Sequence, residues 1–357
     1  MIIALYLLSI LLGIVFPKSK RVTLFILLVA LLVFCGNTDN PDYLGYQDRY
    51  YSYQAEWVSE ITPIGFIILS HIGNTLGLSF PVFRAVLGAA SIAFIYDFIR
   101  RYSNSTNAVL AIYLCISFLL DVVQFRFYLA AAIALWGIHF IIDGNGIKRM
   151  AVYVSVVVFA MSLHPVSIVF LSFLAAKLPE RWCRSVSVAV AAIILTLLYS
   201  GFAQWVAPTL VGELRAERYF ASISRIGFIP YAVIGVSAVI PAILTSRSKA
   251  GIHKSQDGQA NSFSAFISNA AFCMLPILST LILRPEEFFR PVRIILIMFV
   301  IYTLNHLASQ AGRISKDVSR RIILCLIVWT VCTTLYSFRE YVFTVVVPVL
   351  TQNALLF

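Results

Sequence analysis

Hydrophobic positions along the chain form repeated blocks that are separated by short segments holding most of the charged residues. The blocks run for about 15 to 20 residues, which is the length that a helix needs to cross the hydrocarbon core of a bilayer. They lack the alternation of apolar and polar positions that is typical of a transmembrane β-strand. The pattern therefore predicts an all-α polytopic membrane protein with about 12–13 transmembrane helices.

The blocks place the predicted spans at residues 2–16, 22–36, 82–99, 107–120, 127–142, 150–163, 165–176, 185–200, 228–245, 264–283, 292–310 and 322–337. The tail at 341–357 is apolar but contains Pro348, and it predicts either a thirteenth span or a partly inserted segment. Neither an internal repeat nor a low-complexity linker interrupts the pattern. We therefore expect a single integral membrane domain, 1–357, with outer loops at about 37–81, 201–227 and 284–292.

The segment at about 61–78 is apolar enough to span, yet it contains Pro63, His71 and Asn74. If it does not span, one side of the membrane receives 17 of the 27 Lys and Arg residues, including every lysine. If it does span, five of the six basic loops face outward, against the tendency of basic loops to stay in the cytoplasm. The charges therefore favour an interfacial or re-entrant helix at 61–78 on the outer face.

Composition excludes several classes of protein. The net charge is +11 and only 12% of residues are charged, but the basic residues lie in short loops that orient membrane helices, not in a stripe that would bind nucleic acid. The sequence has no Walker A loop, no HExxH or Cys/His metal-ligand spacing and no GxSxG elbow. We therefore expect no nucleic-acid partner, no metal and no cofactor.

The outer side carries arginine without lysine, and a guanidinium binds phosphate with two parallel hydrogen bonds. Arg126 stands at the outer mouth of a span, where an arginine is costly unless it is paired or faces water. The alternative for Arg126 is a side chain that extends to the lipid headgroups. Two outer loops add further arginines beside glutamates, so ion pairing within each loop is the alternative there. Those arginines are Arg215, Arg218, Arg290 and Arg293.

Acidic and aromatic residues are concentrated in the first outer loop. Carboxylates supply general bases, and aromatic rings stack on sugars; a solvated loop with interfacial tyrosines is the alternative. His164 lies between two apolar blocks, directly before a proline, where it either accepts a proton, holds a phosphate or has only a structural role. The candidates in the first loop are Asp39, Asp42, Tyr46, Tyr50 and Glu60.

Five stretches occur in the order "TDNPDY", "SEITPIGFIILSHIG", "QFRFYLAAAIAL", "HPVSIVF" and "FFRPVRIIL". Together they resemble the EpsG-like branch of the Wzy-type polysaccharide polymerases over about residues 37–300. The arginine-glutamine pair usual in that family is here Gln124-Phe-Arg126, and its acid-proline-glycine start to the outer segment is here spread over Glu60, Pro63 and Gly65.

The resemblance implies a GT-C-like, multi-pass glycosyltransferase of the bacterial inner membrane, with its active site facing the periplasm. Such an enzyme joins oligosaccharide repeat units carried on undecaprenyl diphosphate, and undecaprenyl diphosphate is the leaving group. Membrane lipids and a separate chain-length regulator are the other partners that it implies.

With this chemistry as a guide, we expect Asp39 to be the catalytic base, with His164 and Glu60 as alternatives. Arg126, Arg290 and Arg293 are expected to bind the diphosphate, with Arg215 and Arg218 as the second choice. Arg126 is also expected to be catalytic, because it would stabilise the charge that develops on the leaving diphosphate. The sugar would be bound by Asp42, Tyr46 and Tyr50.

Two other functions remain open from the sequence. One is an O-antigen ligase or another GT-C glycosyltransferase that uses a lipid-linked sugar. The other is a flippase or transporter of lipid-linked oligosaccharides, which predicts polar groups along a path through the whole bilayer and symmetry between two halves. The polar groups cluster instead on one side, and mid-span carboxylates are nearly missing.

Overall fold

The computed structural model describes residues 1–56, 62–144, 146–220, 227–247, 258–309 and 342–355, and these residues are almost entirely helical. The α-helices are α1 (Ile2–Val15), α2 (Lys20–Gly36), α3 (Tyr43–Tyr51), α4 (Tyr53–Glu56), α5 (Ile64–Thr75), α6 (Phe80–Tyr102), α7 (Thr106–Tyr113), α8 (Leu119–Val123), α9 (Phe125–Gly137), α10 (His139–Ile142), α11 (Ile147–Leu163), α12 (Glu180–Tyr199), α13 (Phe202–Val211), α14 (Glu213–Phe220), α15 (Ile229–Arg247), α16 (Gly258–Ser279), α17 (Pro285–Ser309) and α18 (Val347–Thr351). Leu114–Phe118 and Val342–Val346 are π-helical, and Pro165–Lys177 and Thr280–Ile282 are 3₁₀ helices.

The structure confirms an all-α polytopic membrane protein. Each predicted span falls on a helix except 322–337, which lies outside the described residues. Within the described ranges, six helices are long and apolar enough to cross a membrane, while the total of 12–13 spans stays a prediction. These six are Phe80–Tyr102, Thr106–Val123, Phe125–Ile142, Glu180–Tyr199, Ser262–Ile282 and Pro285–Ala308.

The helices are grouped into two compact units. Unit 1 comprises residues 1–136, 159–165 and 327–357, and unit 2 comprises 137–158 and 166–326. This grouping by contacts does not test whether the chain forms a single integral membrane domain, which stays a prediction.

One end of unit 1 gathers two basic loops. The Asn107 side chain, at the start of α7, donates to the carbonyl oxygens of Phe16 (2.7 Å) and Ser19 (2.9 Å) in the loop between α1 and α2. Helix α6 ends just before α7, so Lys18 lies at the same end of the unit as Arg100 in the last turn of α6. Arg100 pairs with Asp97 at 3.1 Å. We call this the lysine end of unit 1.

At the opposite end, Arg84 joins α6 to α2. Its Nη1 donates to the carbonyl oxygens of Phe34 (2.8 Å) and Asn37 (2.7 Å), which close α2, while Arg84 itself lies in the second turn of α6. The segment 37–79 therefore leaves and re-enters the bundle at one end. We call this the arginine end, since it holds Arg84 and Arg126.

Helix α5 cannot cross the membrane within such a segment. Its 12 residues give a length of about 18 Å, against the ~30 Å of a hydrocarbon core. The Asn74 side chain donates to the carbonyl oxygen of Tyr50 at 2.8 Å, which keeps the end of α5 beside α3. The prediction of a non-spanning helix at 61–78 is confirmed for the described part of that segment.

Residues 348–354 dock on α2 at the arginine end. The Asn353 side chain donates to the carbonyl oxygen of Leu32 at 2.9 Å, and the backbone N–H of Ala354 donates to the carbonyl oxygen of Gly36 at 2.8 Å. The buried Asn37 side chain donates in return to the carbonyl oxygens of Pro348 and Gln352, both at 3.3 Å. The described part of the tail thus contains a short π-helix and α18, and hydrogen bonds join α18 and the residues after it to the last turn of α2.

Unit 2 shows why the segments between its predicted spans are not loops. Helix α17 begins at Pro285, a favourable first residue because proline lacks the N–H that would be unsatisfied there. Glu286 and Glu287 in the first turn favour the same start, since acidic groups stabilise a helix N-terminus. Residues 202–211 and 213–220 form α13 and α14, which are separated by Gly212 with a φ of 83°.

The start of α5 requires a glycine. A Cβ added at Gly65 would lie 2.7 Å from the carbonyl oxygen of Ser162, in the last turn of α11. We expect Gly65→Ala to destabilise the protein by about 1–3 kcal/mol, because backbone must shift to admit the methyl group. The apparent melting temperature in detergent measures this.

Gly45→Ala is the matched control, since Gly45 lies inside α3 with no atom within 4 Å of its added Cβ. That change should be neutral or stabilise by about 0.5–1 kcal/mol, because alanine loses less backbone entropy in a helix. Equal melting temperatures for the two variants would contradict the close contact between α5 and α11.

Candidate functional site at the arginine end

Arg126 lies against an aromatic cluster. It is the second residue of α9, and its guanidinium carbon lies 5.6 Å from the ring centre of Tyr46 and 5.5 Å from that of Phe66. Tyr46 packs edge-on against Phe125 with 4.6 Å between ring centres, so that α3, α5 and α9 meet at this point. We call Tyr46, Phe66 and Phe125 the aromatic platform.

The platform orients the guanidinium group. A cation over aromatic faces gains about 0.5–2 kcal/mol, more when it is desolvated, and Arg126 is half-buried. Residues Tyr46 and Phe66 come from the segment 37–79, so the position of Arg126 depends on how that segment docks. Arg126, which is predicted to bind the diphosphate, thus lies at the opposite end of unit 1 from the lysine end.

The segment 37–79 is fixed by Tyr50, which is fully buried. Its hydroxyl donates to the carbonyl oxygen of Leu78 at 2.6 Å, and its ring packs on Phe83 with 4.5 Å between centres. Burial is the main cause that raises the pKa of Tyr50, so the phenol stays protonated and keeps this hydrogen bond. These contacts give Tyr50 a structural role in fixing the segment. Its role in sugar binding stays a prediction.

Asp39 is exposed and lies three positions after Gly36, the last residue of α2. Its backbone carbonyl oxygen accepts a hydrogen bond from the Asn37 side chain at 3.0 Å. The Asn40 side chain donates to Oδ1 of Asn37 at 2.7 Å, and the backbone N–H of Asp42 donates to Oδ1 of Asn40 at 3.2 Å. Asn37 therefore fixes the backbone on both sides of the predicted base, while Asp42 directly precedes α3.

His164 directly follows α11 and is buried. Its ring packs edge-on against Phe127 with 5.3 Å between centres, and Phe127 is the neighbour of Arg126 on α9. The structure thus brings His164 to the same helix turn as Arg126. The third candidate base, Glu60, lies outside the described residues.

The other predicted arginines belong to unit 2. Arg290 pairs with Glu287 on α17 at 2.8 Å, which matches the expected ion pairing within this stretch, and Arg293 is buried on the same helix. Arg215 and Arg218 are three positions apart on α14, but their side chains lie outside what the structure describes. Diphosphate binding by these four residues stays a prediction.

Two buried charged residues at the arginine end were missed by sequence reasoning. Arg84 is 2% exposed, and Asp121, on α8, is fully buried. Asp121 accepts hydrogen bonds from the hydroxyls of Ser117 (2.6 Å) and Tyr113 (3.0 Å). The signal for Arg84 was present in "FPVFRAVLGAA", because an arginine just inside an apolar block is as costly there as at Arg126.

The arrangement offers positive charge, an exposed carboxylate and aromatic faces at one end of a helical unit. Among the described residues, no group of three or more His, Cys, Asp or Glu side chains could hold a metal ion.

Comparison with known proteins shows similarity to a protein family. The model of a family described as the EpsG family matches residues 20–346, a range that includes the segment 37–79, most of unit 1, all of unit 2 and all candidate site residues. No curated protein and no solved structure matches the chain. The expected GT-C-like arrangement of the helices accordingly stays a prediction.

Proposed function

Since this chain belongs to the EpsG family, we propose that it is a polysaccharide polymerase that joins lipid-linked oligosaccharide repeat units. The donor is a growing glycan on undecaprenyl diphosphate, and the acceptor is the next repeat unit on the same type of carrier. The reaction takes place at the arginine end of unit 1, which faces the periplasm. The family match is the single observation that carries this proposal, and the site geometry supports it.

The proposed reaction is a glycosyl transfer. A hydroxyl oxygen of the acceptor sugar attacks the anomeric carbon of the donor glycan and forms the new glycosidic C–O bond. The bond between that carbon and the diphosphate oxygen breaks, and its electron pair leaves with undecaprenyl diphosphate. Asp39 takes the hydroxyl proton, as the first choice over His164 and Glu60.

Arg126 stabilises the negative charge that develops on the leaving diphosphate. Preorganised positive groups at a developing charge make one of the largest contributions to enzyme catalysis, because they need no reorganisation during the reaction. The aromatic platform supplies this preorganisation through the contacts of the Arg126 guanidinium with Tyr46 and Phe66. Exposed Asp39 has the accessibility that a base for an incoming sugar requires.

Purified protein in detergent with synthetic lipid-linked repeat units tests this function. We expect the glycan to lengthen in steps of one repeat unit, as seen on a gel or by mass spectrometry, and to do so after treatment with a metal chelator. A ligase would give no product until its separate acceptor is added. A flippase would give none in detergent but would move the lipid across liposomes, and either result would overturn the proposal.

The orientation of unit 1 predicts the labelling of single cysteines after the six native cysteines are replaced. Leu44→Cys is at the arginine end, at a position that is 70% exposed, and Ser103→Cys is at the lysine end. In intact cells, a thiol reagent that does not cross the inner membrane should label the first variant and spare the second. The reverse pattern would place the arginine end in the cytoplasm.

A further inference from the structure

Arg84 is a buried cation that is bound by backbone carbonyls. Its Nη1 donates to Phe34 and Asn37, and its Nη2 donates to the carbonyl oxygen of Val122 at 3.1 Å. Its guanidinium carbon lies 4.7 Å from the ring centre of Phe34 and 5.5 Å from that of Tyr43. Among the described residues, Arg84 pairs with no carboxylate.

The charge is tolerated there because the carbonyl groups belong to helix ends. Phe34 is in the last turn of α2, Asn37 caps it, and Val122 is in the last turn of α8. The last carbonyl groups of a helix have no partner within the helix and carry the negative end of its dipole. One guanidinium group therefore satisfies the C-terminal ends of two helices at once, as a fork of donors in fixed geometry can.

The two segments that carry the proposed catalytic residues, Asp39 and Arg126, begin at these helix ends. Asn37, whose carbonyl oxygen binds Arg84, holds the backbone of Asp39 through its side chain. Val122, whose carbonyl oxygen also binds Arg84, is followed after three residues by Phe125 at the start of α9, and so by Arg126. A shift of Arg84 would therefore move the base and the diphosphate ligand relative to each other.

The packing around the guanidinium is built for this contact. Gly88 lies one turn after Arg84 on α6, and a Cβ added there would overlap the ring of Phe34. The glycine thus lets the ring lie against α6, where its face contacts the guanidinium. We name Arg84, the three carbonyl groups and the rings of Phe34 and Tyr43 the Arg84 clamp.

We propose that Arg84 is a positioning residue. By binding the ends of α2 and α8, it holds Asp39 and Arg126 in the relative positions that the reaction requires. Arg84 is buried and acts through these two residues, without touching the substrate. This inference rests on the proposed function for its catalytic consequence, but the clamp itself is testable without any reaction.

Arg84→Lys is the main test, because lysine keeps the charge but loses the planar fork. We expect kcat per folded molecule to fall on the order of 10²-fold, since a displacement of about 1 Å in a reacting group has an effect of that size. KM should change little, because the loss concerns the transition state. In the Asp39→Asn background, Arg84→Lys should cause a much smaller further fall, because residues that act together are not additive.

Amide hydrogen exchange of the full-length protein in detergent gives a readout that is independent of activity. Exchange should rise in residues 37–43 and 120–126 of Arg84→Lys and stay unchanged in α12 and α16. Arg100→Lys is the control, because Arg100 is on the same helix at the lysine end, with its side chain 62% exposed. It should leave both exchange and kcat unchanged.

A purely structural Arg84 would give a different result. The folded yield of Arg84→Lys would fall, while kcat per folded molecule and exchange in the two segments would match the wild type, and that result overturns the proposal.

If Arg84→Lys does not fold, Phe34→Leu removes one ring of the clamp without removing a hydrogen bond; it should raise exchange in the same segments and lower kcat by a smaller factor. Unchanged exchange in Phe34→Leu would also overturn the proposal. If the wild type lengthens no glycan, the proposed function fails, and the exchange measurement still tests the clamp.

Discussion

Arg126→Lys should lower the rate of glycan lengthening by about 10²–10³-fold, the effect of removing one preorganised group that stabilises a developing negative charge. An ammonium group keeps the charge but cannot present two parallel donors to a phosphate. It also gives a weaker, less directional contact with the rings of Tyr46 and Phe66, which lie 5.6 and 5.5 Å from the guanidinium carbon. The length distribution of glycans made by purified protein measures the effect.

Arg49→Lys is the matched control for this substitution. Arg49 is on α3, in the same segment of the arginine end, and it is half-buried like Arg126. Its replacement should leave the rate within about a factor of two, since surface substitutions away from a site change little. A nearly normal rate for Arg126→Lys, with a folded protein, would remove Arg126 from the mechanism.

Asp39→Asn should lower the rate of transfer by about 10²–10⁴-fold, the usual contribution of a general base. The amide is close in shape to the carboxyl group but cannot take the proton of the acceptor hydroxyl. Folding should be unaffected, because the hydrogen bond at Asp39 uses its backbone carbonyl oxygen and the side chain is exposed. The rate at saturating substrate and the melting temperature together measure this.

Asp48→Asn is the control for Asp39→Asn, because Asp48 is an exposed acid in the same segment and contacts Ser52 only through its backbone. It should show wild-type rates. If Asp39→Asn is equally active, the base is His164 or Glu60, and His164→Gln and Glu60→Gln decide between them in the same assay.

The sequence predicted the helices of this protein well, because a bilayer imposes a simple rule on apolar length. Where a block of residues must cross the membrane, composition alone indicates it, and the charges of the loops predicted that α5 does not span. The rule says nothing about helices that are too short to cross a bilayer. Helices α3, α13 and α14 were missed for that reason, and the first two turns of α17 were taken for a loop because Glu286, Glu287 and Arg290 are charged.

The candidate site was predicted less completely. The sequence singled out Arg126 and His164, and the structure brings both to the first turn of α9, through direct contacts that periodicity cannot show. It did not single out Arg84, whose partners Phe34, Asn37 and Val122 are up to 50 positions away in the chain. The apolar residues around Arg84 indicate a buried cation, but backbone carbonyl groups leave no signature in a sequence, so the sequence could not show which groups bind it.

The central claim is that Arg126 receives the diphosphate of a lipid-linked glycan at the arginine end. An experimental structure of the full-length protein with an undecaprenyl-diphosphate-linked repeat unit tests it most directly. We expect diphosphate oxygens about 2.7–2.9 Å from the guanidinium nitrogens of Arg126, the distance of a charge-assisted hydrogen bond. A diphosphate bound at the lysine end, or at the arginine end without contact to Arg126, would contradict the claim.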